Sequence, residues 1–180
     1  MDCRRKPNFK EQVNMKNFAI LLLAITPLFV FPQGSETNKI NWLKLDEAKV
    51  SARKYDKKIL IFFYKKNCPY CDEMKKGTLS DPAIIKTINN NFFPVKIDSR
   101  TKDTIIYNGR VYGNQQPASS GRNDWRHDFY AEVAAFTRNG TSQVTTPCIV
   151  LFNNKFEKII EMPGNMRKEW LSRRLQKYIK

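Results

Sequence analysis

The chain has little with which to build a metal centre. It contains one histidine, His127, and four cysteines, of which only Cys68 and Cys71 stand at a short spacing. A structural zinc site takes about four Cys or His ligands. No second pair exists at ligand spacing, so neither a metal site nor a cofactor is expected. Acidic residues are few as well, 17 Asp and Glu against 32 Lys and Arg, for a net charge of +15. The sequence contains no internal repeat and no low-complexity segment, which excludes a repeat architecture.

A long apolar run is also missing. Crossing a bilayer core takes about 20 apolar residues, whereas Phe18 to Phe31 is a stretch of fourteen interrupted by Thr26 and Pro27. That length suits the apolar core of a secretory signal, about 7–15 residues. Lys16 precedes it and Pro32-Gln33-Gly34-Ser35 follows. Residues 1–34 are therefore expected to be an N-terminal extension and signal peptide, or an uncleaved anchor, with Met15 as a second candidate start. Residues 35–180 form the expected mature domain, in the periplasm or secreted. No cysteine directly follows the apolar core, which argues against a lipid anchor.

The expected mature chain carries 27 basic and 15 acidic residues, a net charge of +12. Such a balance can serve nucleic acid or a membrane surface. Here the lysines are dispersed, and the densest cluster, Arg167-Lys168 through Arg173-Arg174 to Lys177 and Lys180, falls on the last expected helix. No nucleic-acid motif accompanies it. The expectation is a solvated cationic face that favours an anionic envelope or acidic substrates, with no nucleic-acid partner.

What is present is a dithiol in a particular place. Cys68-Pro69-Tyr70-Cys71 stands where the apolar run Ile59-Leu60-Ile61-Phe62-Phe63-Tyr64 gives way to a helical pattern. With Cys68 as N-cap, Pro69 takes the first helical position, where its missing N–H costs nothing. Cys71 lands at the third, with its N–H aimed at the Cys68 sulfur. The helix dipole favours a thiolate there, and Lys65 and Lys66 add positive charge upstream. Cys68 is thus the expected attacking sulfur and Cys71 the resolving one. Further on, Thr145-Thr146-Pro147-Cys148-Ile149-Val150-Leu151-Phe152 reads as a buried strand opened by a proline, which has no N–H to give the ladder.

This succession, a strand, C-x-x-C, a helix, then Thr-Pro opening a strand roughly 75 residues later, resembles the thioredoxin superfamily. Further segments extend the likeness over residues 40 to 180: Asn41-Trp42, Asp46-Glu47-Ala48, Lys57 to Leu60, Asp72-Glu73-Met74, Asp81 to Ile84 and Asn91 to Asp98. They are similar to a secreted subfamily that includes the C-terminal periplasmic domain of the transmembrane thiol:disulfide reductase. The resemblance implies that Pro147 is cis and packs against the dithiol. It also implies that Thr146 offers backbone hydrogen bonds to an extended substrate. Thr146 and Pro147, with Pro69 and Tyr70 between the cysteines, are the expected substrate-binding residues.

The sequence departs from the superfamily pattern at three positions. Phe62 stands where a buried acid usually lies six residues before the first cysteine, leaving the proton acceptor for Cys71 unassigned. Asn67 replaces a tryptophan, and Pro-Tyr is the dipeptide typical of glutaredoxins. Cys148 is read as a buried thiol at the start of a strand, the alternative being a third redox thiol. Cys3 is given no role. His127 is read as a surface or core-edge residue.

The expected fold is α/β and thioredoxin-like, a central mixed sheet flanked by helices. Helices are read at Asp46–Tyr55, Pro69 to Lys76, from Pro82 capped by Asp81, from Asp124, and from Met166. Strands are read at Ile59–Tyr64, Phe92–Ile97, Cys148–Phe152 and Phe156–Ile160. Thr104 to Tyr112 reads as a hairpin turning at Asn108-Gly109, followed by a loop to Asn123. Both are inserted ahead of the third main helix, the one capped by Asp124, whose Trp125, Phe129, Val133 and Phe136 share one face. On the last helix Trp170, Leu171, Leu175 and Ile179 are expected inward.

The expected function is thiol:disulfide exchange in the cell envelope by a monomer, more as reductant than oxidant. Its expected partners are protein disulfides and a membrane electron donor. The alternatives are a dithiol carrier of Cu(I), with Met74 one turn on, or a redox-inactive binding module on the same fold.

Overall fold

The computed structural model describes residues 38–179. The expected signal segment, Met15 and Cys3 lie outside these residues. The order is α1 (Leu45–Tyr55), β1 (Lys58–Tyr64), α2 (Pro69–Lys76), α3 (Pro82–Asn91), β2 (Phe92–Asp98), β3 (Ile105–Tyr107), β4 (Arg110–Tyr112), α4 (Asp128–Val133), β5 (Phe136–Arg138), β6 (Thr141–Gln143), β7 (Cys148–Phe152), β8 (Lys158–Pro163) and α5 (Lys168–Gln176). The central sheet runs β2-β1-β7-β8, with β1 parallel to β2 and the other two pairings antiparallel. β3–β4 and β5–β6 are separate two-stranded hairpins.

β1 and β7 are central and buried on both sides, so they read as continuous apolar runs and their side chains alternate between two cores. Ile59, Ile61 and Phe63 of β1 join Cys148, Val150 and Phe152 of β7 on one face, under α1, the β3–β4 hairpin and α4. Leu60 and Phe62 join Ile149 and Leu151 on the other, under α2, α3 and α5. Phe129 of α4 packs its ring within 5.4–6.2 Å of Phe63, Tyr107, Tyr112, Phe152 and Phe156, fixing the inserted hairpin to the sheet. Ile84, Ile85 and Ile88 of α3 are buried, and Asp81 caps that helix by accepting from the Ala83 and Ile84 N–H groups at 3.0 and 3.3 Å.

The structure corrects four readings. The helix expected from Asp124 begins at Asp128, because Asp124 gives its carboxylate to the Gln116 amide and Arg122. The cap is His127, whose Nδ1 accepts the Phe129 N–H at 3.1 Å. Phe136 lies in β5 beyond that helix, in a hairpin turned by Asn139-Gly140, both at positive φ. Phe156 sits in a turn at φ 66°, and the strand runs from Lys158 to Pro163. On α5, Leu171 and Leu175 are buried while Trp170 is 62% exposed, since the buried stripe follows the four-residue spacing of the leucines.

Candidate active site

β1 ends at Tyr64, and the chain turns through Asn67, held at φ 55°. Asparagine is among the few residues that adopt this left-handed conformation readily. The turn delivers Cys68 in extended conformation to the N-cap of α2, with Pro69 at the first helical position. The Cys71 N–H points at the Cys68 sulfur at 3.2 Å. The Cys68 carbonyl accepts from the Cys71 and Asp72 N–H groups, both at 3.0 Å. The two cysteines are joined in a disulfide with Cα atoms 5.2 Å apart. The cap sulfur therefore faces the positive end of a helix, a setting that favours an anion in the reduced state.

The Thr146–Pro147 bond is cis. Its loop lies directly over the dithiol, with the Thr146 carbonyl oxygen 3.8 Å from the Cys68 sulfur. Residues 78 apart in sequence thus share one corner of the fold. The Pro147 carbonyl accepts from Gly164 N–H at 2.8 Å, tying the loop to the end of β8. Among the described residues Thr146 makes no backbone-to-backbone hydrogen bond of its own. Cys68 is 3% exposed and Cys71 fully buried, while Pro69 is exposed and Tyr70 is 65% exposed, standing out beside the disulfide.

Phe62 is fully buried in the core beneath α2, and no carboxylate is buried among the described residues. The position six residues before Cys68 therefore supplies no acid for the Cys71 proton. Met74, the soft ligand considered for a metal carrier, packs into that same core. Among the described residues no group of three or more His, Cys, Asp or Glu is gathered as a metal site would require.

Cys148 opens β7 opposite Phe63 and has no exposed surface. Burial pushes its thiol up to about 12, so at neutral pH it is a protonated apolar filler and not a nucleophile. His127, expected at the surface or the core edge, is 1% exposed. Its Nδ1 caps α4 and its Nε2 lies 2.9 Å from the Asp103 carbonyl oxygen, which binds the inserted loop to the helix.

Sequence reasoning missed a cationic recess of about 410 Å³ that adjoins the proline loop, with Lys65, Arg100, Arg126 and Thr146 on its walls. These residues come from four separate segments, and no local motif announces them.

A helix-capping dithiol under a cis-proline loop, on a sheet ordered β2-β1-β7-β8, defines a thioredoxin-fold protein with the cysteine pair of thiol oxidoreductases. Residues 45–179 match the family model described as thioredoxin-like domain, and the chain belongs to that family. Among solved structures it is similar to a thioredoxin from Thermus thermophilus, with 19% identity, 78% of this chain and 87% of that chain covered, and a TM-score of 0.52. It is also similar to the disulphide isomerase from Xylella fastidiosa, with 15% identity, 78% and 97% covered, and a TM-score of 0.46. A third likeness is to the oxidised C-terminal domain of DsbD from Neisseria meningitidis, with 15% identity, 74% and 88% covered, and a TM-score of 0.44. No curated protein matches the chain.

Proposed function

We propose that the protein is a thiol:disulfide oxidoreductase of the cell envelope, acting as a monomer and as a reductant of protein disulfides. The observation that carries the reading is the position of the Cys68 sulfur, with the Cys71 N–H on one side and the Thr146 carbonyl of the cis-proline loop on the other. The apolar segment near the N-terminus supports export. Among the described residues no helix is long and apolar enough to cross a membrane.

In the reduced protein the Cys68 thiolate attacks one sulfur of the substrate disulfide. The substrate S–S bond breaks, and its other sulfur leaves as a thiolate. With Phe62 in place of an acid, the departing thiolate is the base that takes the Cys71 proton. Cys71 then attacks the Cys68 sulfur, the Cys68–substrate bond breaks, and the second substrate sulfur leaves as a thiolate, protonated from water. Two electrons have passed to the substrate, and the protein is left with the Cys68–Cys71 disulfide. A dithiol of a membrane donor restores the pair by the same exchange in reverse. Thr146 pairs with the substrate backbone in the manner of strand addition, while Pro69, Tyr70 and Pro147 line its path.

The test is reduction of a model protein disulfide with dithiothreitol as electron source. Wild type should turn over, Cys68→Ser should be inactive, and Cys71→Ser should accumulate mixed disulfides. Equal rates for wild type and Cys68→Ser would overturn the reading.

A further inference from the structure

Three cationic side chains line the recess beside the proline loop. Lys65 follows β1, Arg100 follows β2, and Arg126 precedes the cap of α4, so three cations from distant segments converge on one cavity of about 410 Å³. Among the described residues none of the three forms an ion pair. Arg100 reaches the Asn123 carbonyl at 3.4 Å, and its own N–H is held by the Asp98 carboxylate at 3.0 Å, which fixes the backbone that presents it. The one acid on the wall, Asp124, is already engaged by the Arg122 guanidinium and the Gln116 amide, each at 2.5 Å. Ser99, 2% exposed, forms part of the wall, its N–H donating to the Tyr64 carbonyl at 2.7 Å and its carbonyl accepting from His127 N–H at 2.8 Å. The recess is therefore anchored to β1 and to the α4 cap. Thr146 belongs both to this wall and to the surroundings of the Cys68 sulfur.

Unpaired cations converging on a fixed recess attract and orient a negative group. The shared Thr146 places that group on the segment of substrate next to the reacting sulfur. We propose that Lys65, Arg100 and Arg126 form a subsite for a carboxylate side chain of the substrate peptide, within a few residues of the cysteine that Cys68 attacks. This rests on the exchange reaction proposed above and gives it a substrate class, disulfides flanked by aspartate or glutamate. Arg100 and Arg126 act here as specificity residues and take no part in the sulfur chemistry, whereas Lys65 also adds positive charge upstream of Cys68.

The experiment measures second-order rates of reduction for two synthetic disulfide peptides that differ only in Asp or Asn two residues from the cysteine. Wild type should favour the Asp peptide by about fivefold at low salt. The ratio should fall toward one at about 1 M salt, where screening acts within about 3 Å. Arg100→Gln with Arg126→Gln should bring the ratio close to one at low salt. Arg173→Gln with Arg174→Gln, equal in charge change but on α5, should keep it. A wild-type ratio of one, or a ratio lowered equally by the α5 pair, would overturn the subsite. Glutathione disulfide serves as a second probe. Slowing of that probe by the Arg100 and Arg126 changes, with the peptide ratio untouched, would assign the recess to a small thiol and overturn the peptide proposal. Reduction of the Asn peptide by wild type reports separately on the exchange activity, so the two readings fail in different ways.

Discussion

Two helices of this protein begin alike. Cys68-Pro69 opens α2 and Asp81-Pro82 opens α3, each with an extended cap residue whose side chain accepts from helix N–H groups. The same device serves different ends because the caps differ in their neighbours. Lys168 binds the Asp81 carboxylate at 3.1 Å and, with the Ile84 and Ala83 N–H groups, holds it below the usual carboxylate range. That anion is fully engaged in joining α3 to α5. Cys68 has no such cation bound to it, and its sulfur lies 3.8 Å from the Thr146 carbonyl oxygen of the cis-proline loop. Cys148 supplies the contrast, a thiol placed inside the sheet, where burial raises its pKa. The reactivity of a sulfur here follows from its place in the fold.

The largest effect expected from this contrast is in alkylation. After reduction, iodoacetamide at neutral pH should label Cys68 first. Native Cys148 should react on the order of a thousandfold more slowly than the same residue in the unfolded chain, since its thiolate is rare and enclosed. Peptide mapping by mass spectrometry reads both. Comparable labelling of Cys68 and Cys148 would break the contrast.

A middle-sized effect is expected from Cys148→Ser. Placing a hydroxyl in the apolar core beside Phe63 and Tyr130 should lower unfolding free energy by about 1–3 kcal/mol in urea titration. Disulfide reduction should stay within about twofold of wild type at temperatures where the variant is folded. A lost activity with unchanged stability would make Cys148 a redox thiol.

The smallest effect belongs to Asp81. Its pKa is lower in the folded protein than in the unfolded chain, so the unfolded state binds more protons over that interval. The resulting stability is fully present above the unfolded value of 3.8 and lost as pH falls through the folded one. Asp81→Asn should remove that part of the acid dependence in a stability-against-pH series. An unchanged acid limb would show that the cap charge is not coupled to folding.

The dithiol corner was legible because its signals are local. A proline at the first helical turn and a preceding apolar strand act within a few residues, whereas the packing of the cis Thr146-Pro147 loop on the dithiol, 78 residues away, was implied only by the resemblance to the thioredoxin superfamily. The insertion was less legible because tertiary partners decide it. Asp124 looks like a cap, yet Gln116 and Arg122 take its carboxylate, and a buried histidine caps α4 instead. Asn139-Gly140 carries the same turn signal as Asn108-Gly109, but the short polar strands around it lack the apolar alternation that marks the first hairpin. Trp170 illustrates a phase error of one residue, the apolar type being right and the face wrong. The cationic recess could not be read at all from sequence, since its walls come from segments joined only by the fold.

The most direct test of the central claim is to map the mixed disulfide that Cys71→Ser accumulates with a peptide disulfide substrate. Proteolysis and mass spectrometry should find the substrate sulfur on Cys68, at the mouth of α2. A substrate sulfur on Cys148, or no covalent complex at all, would contradict the account.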